Sequence, residues 1–121
     1  MLEMLTPMLE THDFKGTIEF YTQTLGFAVA NIAENIQWVH LKKDRVEIMF
    51  CAPNQHRNLP ESIMSGTLYL YTNDVNGDWE KLKEACKICY PIENFAYNMR
   101  EFGIYDNNGY ILNFGQDIPG Q

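Results

Sequence analysis

The chain has 121 residues, 16 of them acidic and 9 basic, and a formal net charge of −7 at pH 7. This length suits a single domain, and a hydrophobic share of 45 % excludes a disordered or low-complexity chain. No apolar run approaches the roughly 20 residues of a membrane span, and no secretory signal opens the sequence, so we expect a cytoplasmic globular protein. The excess of acidic residues disfavours nucleic acid as a partner.

The first half predicts one strand, one helix and three further strands. Residues 6–10 read as the first strand, and Asp13 stands where a helix N-cap would. Apolar residues then recur at helical spacing until Gly26, which suits a helix C-terminus. The three strands are predicted at 27–31, 37–41 and 46–51, with a polar turn at 42–45.

The second half repeats that order after a polar connection at 53–65. A strand is predicted at 67–71, and Asp74 is the N-cap of a helix whose buried apolar stripe is Val75, Trp79, Leu82 and Cys86. Three strands follow at 88–91, 100–105 and 110–114, the last two joined by a turn with an Asn-Gly pair.

The two halves align as an internal repeat. One constant offset places Thr6 on Thr67 and Asp13 on Asp74, and an offset three residues larger places Trp38 on Phe102. We therefore predict module one at about 1–52, a connection at about 53–65 and module two at about 66–121. Each module has one short helix to cover a sheet, so we expect the modules to pair.

Five short segments follow one another along the chain in a recognisable order. They are Ile18-Glu19-Phe20-Tyr21, Leu25-Gly26-Phe27, Asn73-Asp74-Val75, Arg100-Glu101-Phe102 and Asp106-Asn107-Asn108-Gly109-Tyr110. Together these segments resemble the glyoxalase, bleomycin resistance and dioxygenase superfamily, also called vicinal oxygen chelate proteins. The resemblance covers nearly the whole chain and is closest to the bleomycin resistance branch. It implies an α+β fold of two tandem βαβββ modules that form a curled mixed sheet around a cleft, and it implies a homodimer.

Metal-dependent members of that superfamily take His or Glu ligands from four related strand positions. The resemblance puts Thr6, Met49, Thr67 and Asn113 at those positions. Hydroxyl, thioether and amide groups are poor ligands for zinc, nickel, iron or manganese. We therefore predict no metal and no cofactor, which disfavours the lyases and dioxygenases that use the ion as a Lewis acid.

The resemblance then implies a metal-free protein that sequesters a small cationic or aromatic molecule, as in bleomycin-type antibiotic resistance. The acidic charge of the chain agrees with a cationic ligand. One alternative is a metal-dependent lyase, isomerase or dioxygenase of the same superfamily, with ligands displaced by a slip of strand register. Another is a dimerising or regulatory module whose pocket is filled.

The predicted ligand-binding residues share strand faces with the four family positions, apart from an aromatic pair that could clamp a ring. They are Trp38, Glu47, Met49, Thr67, Tyr69, Tyr71, Phe102 and Asn113. For Met49 and the tyrosines the alternative is a core closed by its own side chains, and for Trp38 and Phe102 it is packing beneath the helices. Glu47 is either a cavity carboxylate or a solvated edge residue. Arg100 and Glu101 point to opposite faces, and strand parity leaves open which one faces the pocket.

Overall fold

The computed structural model describes residues 1–57 and 59–119. Positions 58, 120 and 121, which the sequence analysis assigns to the connection and the second module, lie outside the described residues. The chain divides between Ser62 and Ile63 into two compact units. That division falls inside the predicted connection.

The described residues of the first unit form a four-stranded mixed sheet, one α-helix and a short 3-10 helix at Glu34–Ile36. Its strands are ordered β1-β4-β3-β2, with β1 parallel to β4 and the other neighbours antiparallel. The helix continues into a π-helical turn at Phe20–Thr24. The elements are β1 (Met8–Glu10), α1 (Phe14–Glu19), β2 (Ala28–Ala33), β3 (Trp38–Lys43) and β4 (Val46–Cys51).

The second unit has the same order of elements and the same pairing. Its strands are ordered β5-β8-β7-β6, with β5 parallel to β8. Both sheets have open edges, and the predicted α+β class and βαβββ order are confirmed. The elements are β5 (Leu68–Tyr71), α2 (Val75–Leu82), β6 (Lys87–Phe95), β7 (Met99–Tyr105) and β8 (Ile111–Asp117).

Both helices begin at the predicted N-cap aspartates. The Asp13 carboxylate accepts a hydrogen bond from the N–H of Gly16 at 3.0 Å, and Asp74 accepts one from Gly77 at 3.1 Å. Each bond satisfies one of the N–H groups that a helix start leaves unpaired. Within the described residues, no helix is long and apolar enough to cross a membrane.

The N-caps give a first prediction. Replacing Asp74 by alanine is expected to lower the free energy of unfolding by about 1 kcal/mol, because the cap hydrogen bond is lost. Urea denaturation measures this change. Glu19→Ala, at an exposed position of α1, is the control and is expected to change stability by less than about 0.5 kcal/mol. Equal effects of the two substitutions would contradict the capping role.

The core of each unit lies between its helix and its sheet. In the first unit, the fully buried Tyr21 packs its ring 5.0 Å from that of Phe50. In the second unit, Phe102 is fully buried and stacks on Phe114 at 5.0 Å, with the Trp79 ring of α2 5.2 Å away. The opposite face of the second sheet is therefore left to carry polar groups.

The predicted alignment of Trp38 with Phe102 is wrong by one residue. Met49 lies opposite Met8, and Asn113 lies opposite Tyr69, so Met49 and Asn113 correspond. Trp38 pairs with Cys51, two residues after Met49, and Glu101 pairs with Gly115, two residues after Asn113. Trp38 therefore corresponds to Glu101.

A longer turn explains this difference. Lys43 and Val46 form the last pair of the β3–β4 hairpin, so two residues turn the chain there. In the second unit the N–H of Asp106 bonds the carbonyl of Tyr110 at 2.9 Å, so three residues make the turn. One extra residue in the turn therefore reverses the face of every residue that the larger offset had aligned on β7.

Strand β6 is longer than predicted. The prediction ended it at Pro91, whereas it continues to Phe95. Pro91 is tolerated because β6 is an edge strand and its pairing with β7 is irregular between Ile88 and Tyr90 and between Tyr90 and Glu93. The additional residues form one wall of the cavity described next.

Candidate functional site

The second unit contains a cavity of about 460 Å³ on the sheet face opposite α2. Strands β5, β6, β7 and β8 all contribute to it, together with the turn between β6 and β7. Its volume lies within the range of about 300 to 1,000 Å³ that small-molecule sites occupy. The lining residues are Thr67, Tyr69, Tyr90, Glu93, Phe95, Tyr97, Glu101 and Asn113.

A buried carboxylate surrounded by tyrosines is the centre of this cavity. Glu101 is only 3 % exposed. Its Oε1 accepts hydrogen bonds from the hydroxyls of Tyr69 at 3.0 Å and Tyr97 at 2.7 Å, and its Oε2 accepts one from Tyr90. Hydrogen bonds to an ionised carboxylate are about twice as strong as neutral ones, so this network compensates the burial of the charge.

Two glycines of the same sheet face make room for the tyrosine rings. A Cβ atom on Gly103 would lie 2.5 Å from Cε1 of Tyr90, and one on Gly115 would lie 2.1 Å from the hydroxyl oxygen of Tyr69. Gly115 is directly opposite Glu101 on β8. The rings can therefore lie over backbone and direct their hydroxyls at the carboxylate.

The mouth of the cavity is aromatic. Tyr97 stacks on Phe95 with ring centroids 5.5 Å apart and planes within 9°, and it is 60 % exposed. The chain turns immediately afterwards at Asn98, whose φ of 61° lies in the left-handed region that asparagine tolerates. The turn holds the Tyr97 ring between solvent and Glu101.

The carboxylate also keeps these tyrosines protonated. The hydrogen bond to Glu101, followed by burial, raises the pKa of Tyr97 from an ordinary value of 10 to about 12. Burial, followed by the hydrogen bond to Glu101, raises the pKa of both Tyr69 and Tyr90. At neutral pH all three hydroxyls are donors, and none is prepared to act as a base.

Three of the predicted ligand-binding residues line the cavity, namely Thr67, Tyr69 and Asn113. Tyr71 is 75 % exposed, and its ring lies 5.1 Å from that of Tyr69, outside the lining. Phe102 is fully buried and packs beneath α2, which is the alternative that the sequence left open for this residue. The predicted aromatic clamp of Trp38 and Phe102 is therefore wrong.

The remaining predicted residues lie in the first unit. Glu47 Oε1 is 2.8 Å from Nε2 of His40, so it has a partner in its own sheet and is not a solvated edge residue. His40 is directly opposite Met49, and the Trp38 ring lies 6.3 Å from the His40 ring. None of these side chains lines the cavity of the second unit. The binding roles of Trp38, Glu47 and Met49 therefore remain predictions.

The donor atoms do not fit a metal site of the family type. Thr67 and Asn113 line the cavity and offer a hydroxyl and an amide, while Met49 offers a thioether. In the described ranges, no three His, Cys, Asp or Glu side chains are grouped closely enough to hold an ion. Divalent transition metals prefer imidazole, thiolate and carboxylate ligands, so these residues are a poor match.

Sequence reasoning missed the central residues of the site. Strand parity left open whether Arg100 or Glu101 faces the pocket. No role was predicted for the other cavity residues Tyr90, Glu93, Phe95 and Tyr97. A signal was present for part of the set, because Glu101 and Gly103 are two residues apart and therefore share one face of β7, on which Gly103 lies opposite Asn113.

Solved structures share this fold across almost the full length of the chain. A glyoxalase/bleomycin resistance protein/dioxygenase from Nocardioides is 17 % identical, with a TM-score of 0.78 over 100 % of this chain and 87 % of that one. TioX from Micromonospora sp. ML1 is 13 % identical, with a TM-score of 0.73 over 97 % and 100 %. Lactoylglutathione lyase from Agrobacterium tumefaciens is 14 % identical, with a TM-score of 0.71 over 94 % and 92 %.

The sequence itself identifies the family. No curated protein gives a significant match to the whole sequence. The family model described as Glyoxalase/Bleomycin resistance protein/Dioxygenase superfamily matches residues 5–114, a range that ends within β8 and includes every residue that lines the cavity. The chain therefore belongs to the glyoxalase/bleomycin resistance protein/dioxygenase superfamily.

Proposed function

We propose that this protein binds and sequesters a small cationic, aromatic molecule in the cavity of its second unit, without a metal and without chemistry. The observation that carries the proposal is the buried Glu101 carboxylate, enclosed by three tyrosine hydroxyls beneath an aromatic mouth. Bleomycin-type antibiotic resistance is the biological role we infer, in a cytoplasmic homodimer.

The chemistry of the lining supports a cationic ligand. The described residues that line the cavity include two carboxylates, Glu93 and Glu101, and no lysine or arginine. The rings of Tyr97, Tyr90 and Phe95 offer π faces, which attract organic cations. A chain with a net charge of −7 also raises the local concentration of cations.

The same residues disfavour catalysis at this site. Glu101 is engaged by hydroxyl donors at both of its oxygens, so it is a poor general base. The three tyrosines have raised pKa values and are poor proton acceptors at neutral pH. The donor set does not fit a Lewis-acid metal, which the metal-dependent enzymes of the family need.

Ligand titration and metal analysis test the proposal. Bleomycin is expected to raise the melting temperature of the protein, and Tyr97→Ala is expected to weaken its binding at least tenfold, because the mouth loses a stacking surface. Ile36→Ala, at a similarly exposed apolar side chain of the first unit, is the control. Near-stoichiometric zinc, nickel, iron or manganese after incubation, measured by mass spectrometry, would overturn the metal-free function.

A further inference from the structure

Asn113, which lines the cavity, has a buried side-chain oxygen that no hydrogen bond among the described residues uses. It is 7 % exposed, and its Nδ2 donates to the hydroxyl oxygen of Tyr90 at 2.6 Å. Tyr90 has one hydroxyl proton, which it donates to Glu101, so its oxygen can only accept from Asn113. This fixes the orientation of the amide and leaves Oδ1 without a partner among the described residues.

An unpaired buried acceptor is costly. Such a group has lost its hydrogen bonds to water without gaining another, so buried amide oxygens nearly always have a donor. The side chain of Asn113 lines the cavity. A donor from a bound molecule would relieve the cost, and Oδ1 therefore indicates what the ligand must bring.

Glu101 offers a second acceptor near the first. A carboxylate has about four lone-pair positions, and hydroxyls of the described part of the chain occupy two at Oε1 and one at Oε2. One lone-pair position at Oε2 therefore has no donor among the described residues. Because Oε2 and the amide of Asn113 both bond the Tyr90 hydroxyl, the two open acceptors flank the same group.

We propose, on the basis of the function proposed above, that the cavity selects cations that carry N–H donors, such as a primary ammonium or an amidinium, over fully alkylated ammonium ions. The charge and the aromatic rings attract both kinds of cation. Only an N–H group satisfies Asn113 Oδ1 and the open position on Glu101. The body of the ligand would lie against Phe95 and Tyr97.

Two probes that differ only at nitrogen test this selectivity. We would titrate the wild-type protein with naphthylmethylammonium and with its N,N,N-trimethyl counterpart, using calorimetry. The primary ammonium is expected to bind at least tenfold more tightly. Equal affinity, or tighter binding of the trimethyl compound, would overturn the selectivity while the proposed function stands. Failure of both probes and of bleomycin to bind would overturn the proposed function itself.

The variant Asn113→Leu assigns the selectivity to its source. Leucine is close in size and removes the acceptor, so the preference for the primary ammonium over the trimethyl compound should fall from at least tenfold to about one. The substitution also removes the hydrogen bond from Nδ2 to Tyr90, so the readout is the ratio of the two affinities and not the melting temperature. Asn31→Leu, at an exposed position of the first unit, should keep the full preference. A preference that persists in Asn113→Leu would overturn the role of Oδ1.

Discussion

Replacing Glu101 by glutamine is expected to lower the free energy of unfolding by about 3 kcal/mol and to abolish binding of cationic ligands. The buried carboxylate accepts hydrogen bonds from three tyrosines, and a bond to a charged group contributes about 1.5 to 3 kcal/mol. Glutamine keeps one acceptor and introduces a donor among hydroxyls that already donate. Urea denaturation and calorimetric titration with bleomycin measure the two effects.

The same substitution has a distinct signature at alkaline pH. Tyr97 binds its proton more tightly in the folded protein, where its pKa is about 12, than in the unfolded chain, where it is 10. Its contribution to stability is therefore complete below pH 10 and is lost as the pH rises through about 12. In Glu101→Gln the phenolate absorbance of Tyr97 should develop at a lower pH than in the wild type. The loss of stability between pH 10 and 12 should also be smaller than in the wild type.

A matched variant separates the network from simple loss of charge. Glu93 lines the same cavity but is exposed, so Glu93→Gln removes the same charge with an expected stability change below about 0.5 kcal/mol. Its tyrosine titration should remain near that of the wild type, because its charge is the smallest of the causes that raise the pKa of Tyr97. Indistinguishable titrations of Glu101→Gln and the wild type would contradict the network.

The second large effect is expected from Gly103→Ala. The new methyl group would stand 2.5 Å from Cε1 of Tyr90, a distance that Cβ contacts do not tolerate. Tyr90 has little freedom to move, because its hydroxyl bonds both Glu101 and Asn113. We expect unfolding to become easier by about 2 to 3 kcal/mol, within the range for overpacking, and bleomycin binding to weaken at least tenfold.

Two other glycines serve as comparisons for this prediction. Gly66→Ala places its methyl group where no atom lies within 4 Å, and we expect no loss of stability from packing. Gly115→Ala meets Tyr69, whose 37 % exposure lets the ring move outward, so its effect on stability should be smaller than that of Gly103→Ala. Similar stability for Gly103→Ala and Gly66→Ala would show that the Tyr90 ring is not held over the backbone.

Local signals in the sequence predicted much of the fold because they depend on neighbouring residues. Asp13 and Asp74 cap their helices as predicted, since the acceptor and the N–H group lie three residues apart. Strand β4 has the predicted bounds, Val46–Cys51. The order of elements and the repeat agree with the structure because both units must cover one sheet with one helix.

The site was harder to predict because it depends on contacts between strands. Pro91 indicated the end of a strand, yet on an edge strand with irregular pairing the chain continues to Phe95. The tyrosines that surround Glu101 come from β5, β6 and the following turn, and no spacing in the sequence relates them. Thr67, Tyr69 and Asn113, which line the cavity, were predicted because they share faces with positions that the family resemblance supplied.

The sequence alone therefore determined the family, the module repeat, the helix starts and the alternation of faces along each strand. The tertiary structure decided which face of β7 meets the cavity. Alternation requires Arg100 and Glu101 to point in opposite directions, but it assigns neither to a side. The core made that choice, because Phe102 packs beneath α2 and its neighbour Glu101 must then face the tyrosines.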